Sequence, residues 1–201
     1  MAEKVKLAVF ISGGGSNLQS LIDASKAGRL SADIVLVVSN KAGAYGLERA
    51  KNEGIDTFVY NPKKYQSKEE AHRDLMEMLE EYEVEYIALA GYLKLLPKPV
   101  VKRFHGRITN IHPALLPRYG GKGMYGHFVH EAVIEAGDKE SGATIHLVDE
   151  IYDNGRILLQ GKVPVFPDDT PDTLAARVLE MEHKIYPEAL ENLIRGKYDN
   201  E

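Results

Sequence analysis

Seven short apolar runs, each ended by a turn signal and most followed by a segment of helical spacing, leave this chain few folds to choose from. Val5–Ile11 is rich in β-branched and aliphatic residues and ends in Ser12-Gly13-Gly14-Gly15-Ser16-Asn17, after which Leu18, Leu21 and Ile22 recur at helical spacing. Strand, glycine turn and helix in that order open an α/β unit. Residues 34–38 repeat the buried-strand pattern and stop at Ser39-Asn40-Lys41. A helix is expected over Tyr45–Asn52, with Gly54 behind it. Residues 57–60 form a short strand closed by Asn61-Pro62. Ser67 is expected to cap a helix reaching Tyr82, with Glu70 completing a capping box and Leu75, Met76 and Leu79 as its apolar stripe. A strand over 86–90, the apolar loop Leu93-Lys94-Leu95-Leu96-Pro97 and a short helix up to Phe104 follow. Residues 107–111 form a strand that His112-Pro113 cuts, and a proline- and glycine-rich loop runs on to Gly126. A helix over 127–136 precedes two strands, 144–148 and 157–163, that flank an acidic turn. The last element is a helix over 174–193, expected to be interrupted near Pro187. Strands alternating with helices imply an α/β fold with a doubly wound, mostly parallel sheet. With no repeat, linker or low-complexity stretch, residues 1–201 read as a single domain.

Composition removes several function classes. The chain has no cysteine, so disulfides, thiolate zinc sites and cysteine nucleophiles are excluded together. A formal net charge of -5 argues against broad nucleic-acid binding. With 44% hydrophobic and 27% charged residues the chain can bury a core without staples. Met1-Ala2-Glu3-Lys4 runs straight into the first apolar run, with no signal peptide or spanning helix, so the chain reads as cytoplasmic.

In an open α/β sheet ligands bind beyond the carboxyl ends of the strands, so the turn after Ile11 is the first candidate site. Its glycines let backbone amides approach an anion, and the helix N-terminus adds partial positive charge. Two familiar fingerprints do not apply. Leu18 holds the place of the third dinucleotide glycine, and Ser39-Asn40-Lys41 offers no acidic residue for a ribose. No Gly-x-x-x-x-Gly-Lys-[Ser/Thr] occurs. A monophosphate-sized cradle and a plain strand-to-helix turn remain as alternatives.

Alternation points Asn110 and His112 to the same side at the end of the fifth strand. An amide and an imidazole there are suited to stabilising a developing oxyanion, and a histidine also exchanges a proton. The cluster Asp149-Glu150-Ile151-Tyr152-Asp153-Asn154-Gly155 supplies three carboxylates. One of them beside His112 would favour imidazolium and raise its pKa, though nothing local says which. His127 and His130 stand three apart on a helix but fall short of a zinc set, so no metal is expected. Gly120-Gly121-Lys122-Gly123 reads as a mobile flap, since no serine or threonine follows the lysine.

Taken in order, these segments resemble those of the phosphoribosylglycinamide formyltransferases, the glycinamide ribonucleotide transformylases of purine synthesis. The resemblance covers nearly the whole chain. It is carried by Ile11-Ser12-Gly13-Gly14-Gly15-Ser16-Asn17-Leu18, Ser39-Asn40-Lys41-Ala42, Gly46-Leu47-Glu48-Arg49-Ala50, Leu89-Ala90-Gly91-Tyr92, Asn110-Ile111-His112-Pro113-Ala114-Leu115-Leu116-Pro117, Gly142-Ala143-Thr144-Ile145-His146, Asp153-Asn154-Gly155 and Glu182-His183-Lys184-Ile185-Tyr186-Pro187. It implies a Rossmann-like formyltransferase fold and 10-formyltetrahydrofolate as co-substrate. Asn110, His112 and Asp153 match the family's catalytic residues. Gly15, Ser16 and Asn17 match its phosphate cradle, and Glu182 a glutamate that holds the ribose. Leu93, Lys94, Leu95 and Leu96, with Asn110, match the folate pocket. Lys68 stands where the family often has arginine near the folate tail. The chain departs from the family over Gly120-Gly121-Lys122-Gly123-Met124-Tyr125-Gly126, where proline-glycine and a histidine are common.

The implied partners are small molecules, with no nucleic acid and no membrane, and a homodimer is allowed. The implied chemistry is direct attack of an amine on a formyl carbon, with Asn110 and protonated His112 facing the oxyanion and Asp153 holding His112 protonated. Two other readings stand beside it. One is another formyl-folate enzyme, a formyltetrahydrofolate hydrolase or a methionyl-tRNA formyltransferase, for whose usual extra domain 201 residues leave no room. The other is a non-catalytic nucleotide-binding module, against which Asn110, His112 and Asp153 speak.

Overall fold

A computed structural model describes residues 4–198. Seven strands form one sheet in the order β3-β2-β1-β4-β5-β6-β7. They are β1 (Val5–Ile11), β2 (Ala32–Ser39), β3 (Asp56–Val59), β4 (Tyr86–Leu89), β5 (Ile108–His112), β6 (Glu140–Leu147) and β7 (Ile157–Pro164). β1 to β5 pair in parallel, whereas β5–β6 and β6–β7 are antiparallel. The helices are α1 (Ser16–Lys26), α2 (Tyr45–Asn52), α3 (Lys68–Glu81), α4 (Lys98–Arg103), α5 (His127–Glu135) and α6 (Pro171–Ile194).

β1 explains the layering. Its alternate side chains enter two cores, which is why it reads as a continuous apolar run and not as an alternation. Leu7, Val9 and Ile11 pack on one face with Leu18 and Leu21 of α1 and Tyr186 and Leu190 of α6. Ala8 and Phe10 pack on the other with Leu75 and Leu79 of α3 and Val100 of α4. The mostly parallel, doubly wound sheet is as expected from the sequence.

Four local expectations are corrected. α6 is not interrupted at Pro187: it runs through from Pro171 to Ile194. Tyr186, Pro187, Ala189 and Leu190 are all buried there, and packing on both sides of the proline holds a helix that has lost one hydrogen bond. α6 also starts three residues before the expected Leu174, at a capping box formed by Thr170 and Thr173. The box foreseen at Ser67 is only half made. Ser67 Oγ accepts from the Glu70 N–H at 3.1 Å, but the Glu70 carboxylate turns to the N–H of Gln66 at 3.0 Å. Finally, His112 is the last residue of β5 and pairs with Thr144, so the strand is not cut before it.

Candidate active site

The order β2-β1-β4 places β1 where the sheet reverses its winding, and a groove opens beyond the carboxyl ends of the strands around it, the usual position for a ligand in such a sheet. The groove has a volume of about 950 Å³. That lies at the upper end for small-molecule sites, of about 300–1,000 Å³.

At one end stands the glycine turn. Gly15 is the N-cap of α1 at φ 72, a left-handed conformation that costs glycine little. A Cβ there would lie 2.7 Å from Gly46 Cα, so α2 packs directly on the turn. The Gly13 and Gly14 carbonyls are taken up by Gly46 N–H at 3.0 Å and Arg49 Nε at 2.8 Å. No side chain caps α1, which leaves first-turn amides unpaired in the manner of an anion site. Beside them Asn17 Nδ2 donates to Glu182 Oε2 at 2.6 Å, and Asn17 Oδ1 is buried without a partner. Burial pushes the Glu182 carboxyl up to about 7, against the smaller opposing pull of Asn17.

The other end is apolar. Leu93, Leu95 and Leu96 line it, with Tyr92 and Val148 alongside. Leu93 and Leu95 stand about half exposed, whereas Leu96 is buried. Ser12 ties this wall to the glycine turn: its Oγ donates to Asn40 Oδ1 at 2.6 Å and accepts from Leu93 N–H at 2.9 Å.

Between the two ends lies a polar cluster. Antiparallel pairing sets Asn110 opposite His146. His146 Nδ1 faces the Leu147 carbonyl at 2.8 Å, an acceptor only, so the neutral ring carries its proton on Nδ1. Its Nε2 then accepts from Asn110 Nδ2 at 3.1 Å. The second hydrogen of Asn110 Nδ2 is held loosely, 3.5 Å from Asp153 Oδ1, and is free to turn to a substrate oxygen.

His112 Nε2 donates to the Tyr119 carbonyl at 2.7 Å, while Nδ1 lies 3.6 Å from Asp153 Oδ2. The expectation that a neighbouring carboxylate lifts His112 above a free imidazole is not met. Burial is the largest influence and lowers the pKa, and Asp153 and the Tyr119 carbonyl offset it only in part. Asp153 itself is left-handed at φ 52, and its Oδ2 accepts from Gly121 N–H at 2.9 Å. Desolvation raises its pKa, but His146, His112 and the Gly121 amide together outweigh that and lower it.

Of the residues singled out from the sequence, Asn17, Asn110, His112, Asp153, Glu182 and Leu93 to Leu96 all line this one groove. Gly15 and Ser16 form the start of α1 next to Asn17 and are not themselves among the lining residues. Lys68 opens α3 and is not among the lining residues. His127 contacts Glu131 at 3.1 Å and Asp172 at 3.4 Å, and among the described residues no three His, Cys, Asp or Glu side chains form a metal-holding group. Sequence reasoning missed His146 and Tyr119 as members of the cluster. His146 closes one of the segments that carry the resemblance, but the only local signal for a place in the cluster was its parity with Thr144, which becomes informative once β6 is known to flank β5.

A model of the formyl transferase family matches residues 5–190. The chain is similar to the chloroplastic phosphoribosylglycinamide formyltransferase of Vigna unguiculata, 50% identical over 94% of this chain and 60% of that protein. It is 44% identical to the phosphoribosylglycinamide formyltransferase of Haemophilus influenzae, over 96% of this chain and 88% of that protein. The crystal structure of glycinamide ribonucleotide transformylase 1 from Symbiobacterium toebii superposes with a TM-score of 0.89 at 39% identity, covering 98% of this chain and 90% of that one. The chain thus spans 60% of the length of the Vigna unguiculata relative, 64% of that of the chloroplastic phosphoribosylglycinamide formyltransferase of Arabidopsis thaliana, and most of the length of these two bacterial proteins.

Proposed function

The chain belongs to the formyl transferase family, and from that premise we propose that it transfers the formyl group of 10-formyltetrahydrofolate to the amine of glycinamide ribonucleotide. The observation that carries the reading is the position of Asn110, His112 and Asp153. They stand midway along a groove with anion-ready amides at one end and an apolar slot at the other. The residues fit both substrates. Unpaired first-turn amides of α1 suit a phosphate, and the orphaned Asn17 Oδ1 beside Glu182 suits the hydroxyls of a ribose. Leu93, Leu95 and Leu96 suit a flat heteroaromatic ring, with Lys94 beside them for the acidic tail. Lys68, away from the groove lining, stays in the proposal only as a contact for that tail beyond the groove.

The mechanism follows from donors and acceptors. Asn110 Nδ2 and protonated His112 donate to the formyl oxygen as it gains charge, each such donor lowering the barrier by about 3 kcal/mol in comparable sites. Asp153, held ionised, faces His112 Nδ1 and takes part in moving the proton from the attacking amine to the leaving nitrogen of the folate, as the bond between that nitrogen and the formyl carbon breaks. Burial that holds His112 low in the free protein is itself useful. An imidazolium of lowered pKa is the stronger donor, and the negative charge that develops on the formyl oxygen beside it favours the protonated ring. No enzyme nucleophile is required, consistent with a chain that has no cysteine.

The same proposal places the reaction in the cytoplasm, on small molecules and not on nucleic acid or a membrane. Among the described residues no helix is long and apolar enough to cross a membrane. The test is formyl-folate consumption with and without glycinamide ribonucleotide. Consumption is expected only with the ribonucleotide, which gains one formyl group per folate turned over. Equal consumption without it would assign a hydrolase instead.

A further inference from the structure

The residues that follow the cis Leu116–Pro117 bond grip the catalytic pair from behind. The Tyr119 carbonyl accepts from His112 Nε2, and two residues on the Gly121 N–H donates to Asp153 Oδ2. Between them Gly120 lies flat on the site, where a Cβ would meet Leu116 Cδ2 at 2.6 Å and Asp153 Cβ at 3.4 Å. Tyr119 itself sits at φ 55, a left-handed conformation that an aromatic residue adopts only when its surroundings impose it. The direction of its carbonyl depends on that conformation.

Its surroundings impose it through the side chain. The Tyr119 hydroxyl donates to Asp138 Oδ2 at 2.8 Å, and Arg118 donates to Asp138 Oδ1 at 3.0 Å and to the Tyr119 hydroxyl at 3.1 Å. The Arg118 guanidinium lies 5.1 Å from the centre of the Tyr119 ring. Asp138 belongs to the turn between α5 and β6, outside the groove. One side of the ring packs against the hydrophobic core, but a second cavity of about 250 Å³ borders Tyr119, Asp138 and Arg118, so packing encloses the ring only in part.

We propose that Tyr119 and Asp138 are positioning residues for His112: the hydroxyl-to-carboxylate bond, backed by Arg118, holds the Tyr119 carbonyl on Nε2 and so makes Nδ1, opposite Asp153, the nitrogen that gains and loses the second proton. The inference rests on the formyl-transfer reading for its kinetic consequence, but not for its structural one. His112 is faced by Asp153 from the β6–β7 loop, by His146 from β6 and by His130 from α5, and none of these touches Nε2. The Tyr119 carbonyl favours the protonated ring, so its loss lowers the His112 pKa further.

The experiment uses Tyr119→Phe, Asp138→Ala and Asp138→Asn in the full chain, with His112 followed by NMR in the free protein and kinetics measured with both substrates. Tyr119→Phe keeps the ring and backbone and deletes the bond. It is expected to lower kcat about ten-fold with either KM changed less than about two-fold, the pattern of a misplaced group and not of lost binding. The His112 titration moves to lower pH. Asp138→Ala behaves alike, the double variant is no worse than either single, and Asp138→Asn, whose amide oxygen still accepts, recovers most of the loss. A folded Tyr119→Phe or Asp138→Ala with an unchanged His112 titration overturns the proposal. So does a fall in melting temperature with kcat intact. If the wild-type chain transfers no formyl group, the assigned reaction fails, while the His112 titration still decides the role of Tyr119.

Discussion

At the scale of single residues, the site is governed by competition between burial and charge. His112 is 3% exposed, and burial outweighs the carboxylate 3.6 Å from it. Asp153→Asn removes the principal counterweight. The expected result is a His112 titration displaced below that of wild type, with turnover reduced at least about 100-fold and substrate affinities nearly kept, as read by NMR and steady-state kinetics. An unmoved titration with activity lost would assign Asp153 to proton relay alone. Glu182 is the opposite case. Its carboxyl is raised to about 7 from 4.5, so the folded protein binds more protons than the unfolded chain between those values. That contribution is fully present below 4.5 and is lost as pH rises through 7. His112, lowered from 6.5, has the reverse slope: its contribution is present above 6.5 and is lost as pH falls. Glu182→Gln should flatten the first slope only. In melting curves across that range, the difference between variant and wild type grows in the variant's favour toward high pH, while its affinity for the ribonucleotide falls. A constant difference would show that Glu182 does not titrate there. Strand alternation pointed to Asn110 and His112, and only the family resemblance singled out Asp153; the sign of the His112 shift was not legible at all, because it depends on how completely β5, β6 and Tyr119 exclude water from the ring.

At the scale of elements, the strand-turn-helix opening was readable because every local rule agreed. An apolar run, three glycines and helical spacing each point to the same structure. Pro187 was misread because a local rule was applied where buried neighbours decide, and the Ser67 box because a carboxylate can reach either of two adjacent amides. The glycine turn offers a clean contrast among its three members. Gly13 and Gly14 have open space where a Cβ would stand, whereas Gly15 has Gly46 Cα at 2.7 Å and a positive φ. Gly15→Ala is therefore expected to destabilise the fold by about 1–3 kcal/mol and to weaken the ribonucleotide. Gly14→Ala should melt like wild type, so any loss of phosphate affinity in it reports the approach of the ligand alone. Matching melting temperatures for the Gly14 and Gly15 variants would contradict this reading of the α1–α2 contact.

At the scale of the whole molecule, the groove joins two differently built halves. The parallel half supplies the glycine turn and the apolar wall, and the antiparallel β5-β6-β7 part supplies the polar cluster. Ser12 bridges turn and wall, yet the ends remain chemically separate. Leu95→Asp should thus abolish folate binding, as measured by calorimetry, with ribonucleotide affinity kept within about three-fold. Unchanged folate affinity would move the slot elsewhere. The doubly wound sheet followed from alternation in the sequence, whereas which strands lie side by side did not, since no residue pattern states a neighbour. The Asn17–Glu182 bond spans 165 positions of the chain. During synthesis the glycine turn and β5 emerge long before α6 does. A nascent chain halted before that helix would carry the unpaired amides of α1 and His112 but no carboxylate beside Asn17, so on the proposed reading the capture of a ribonucleotide has to wait for α6.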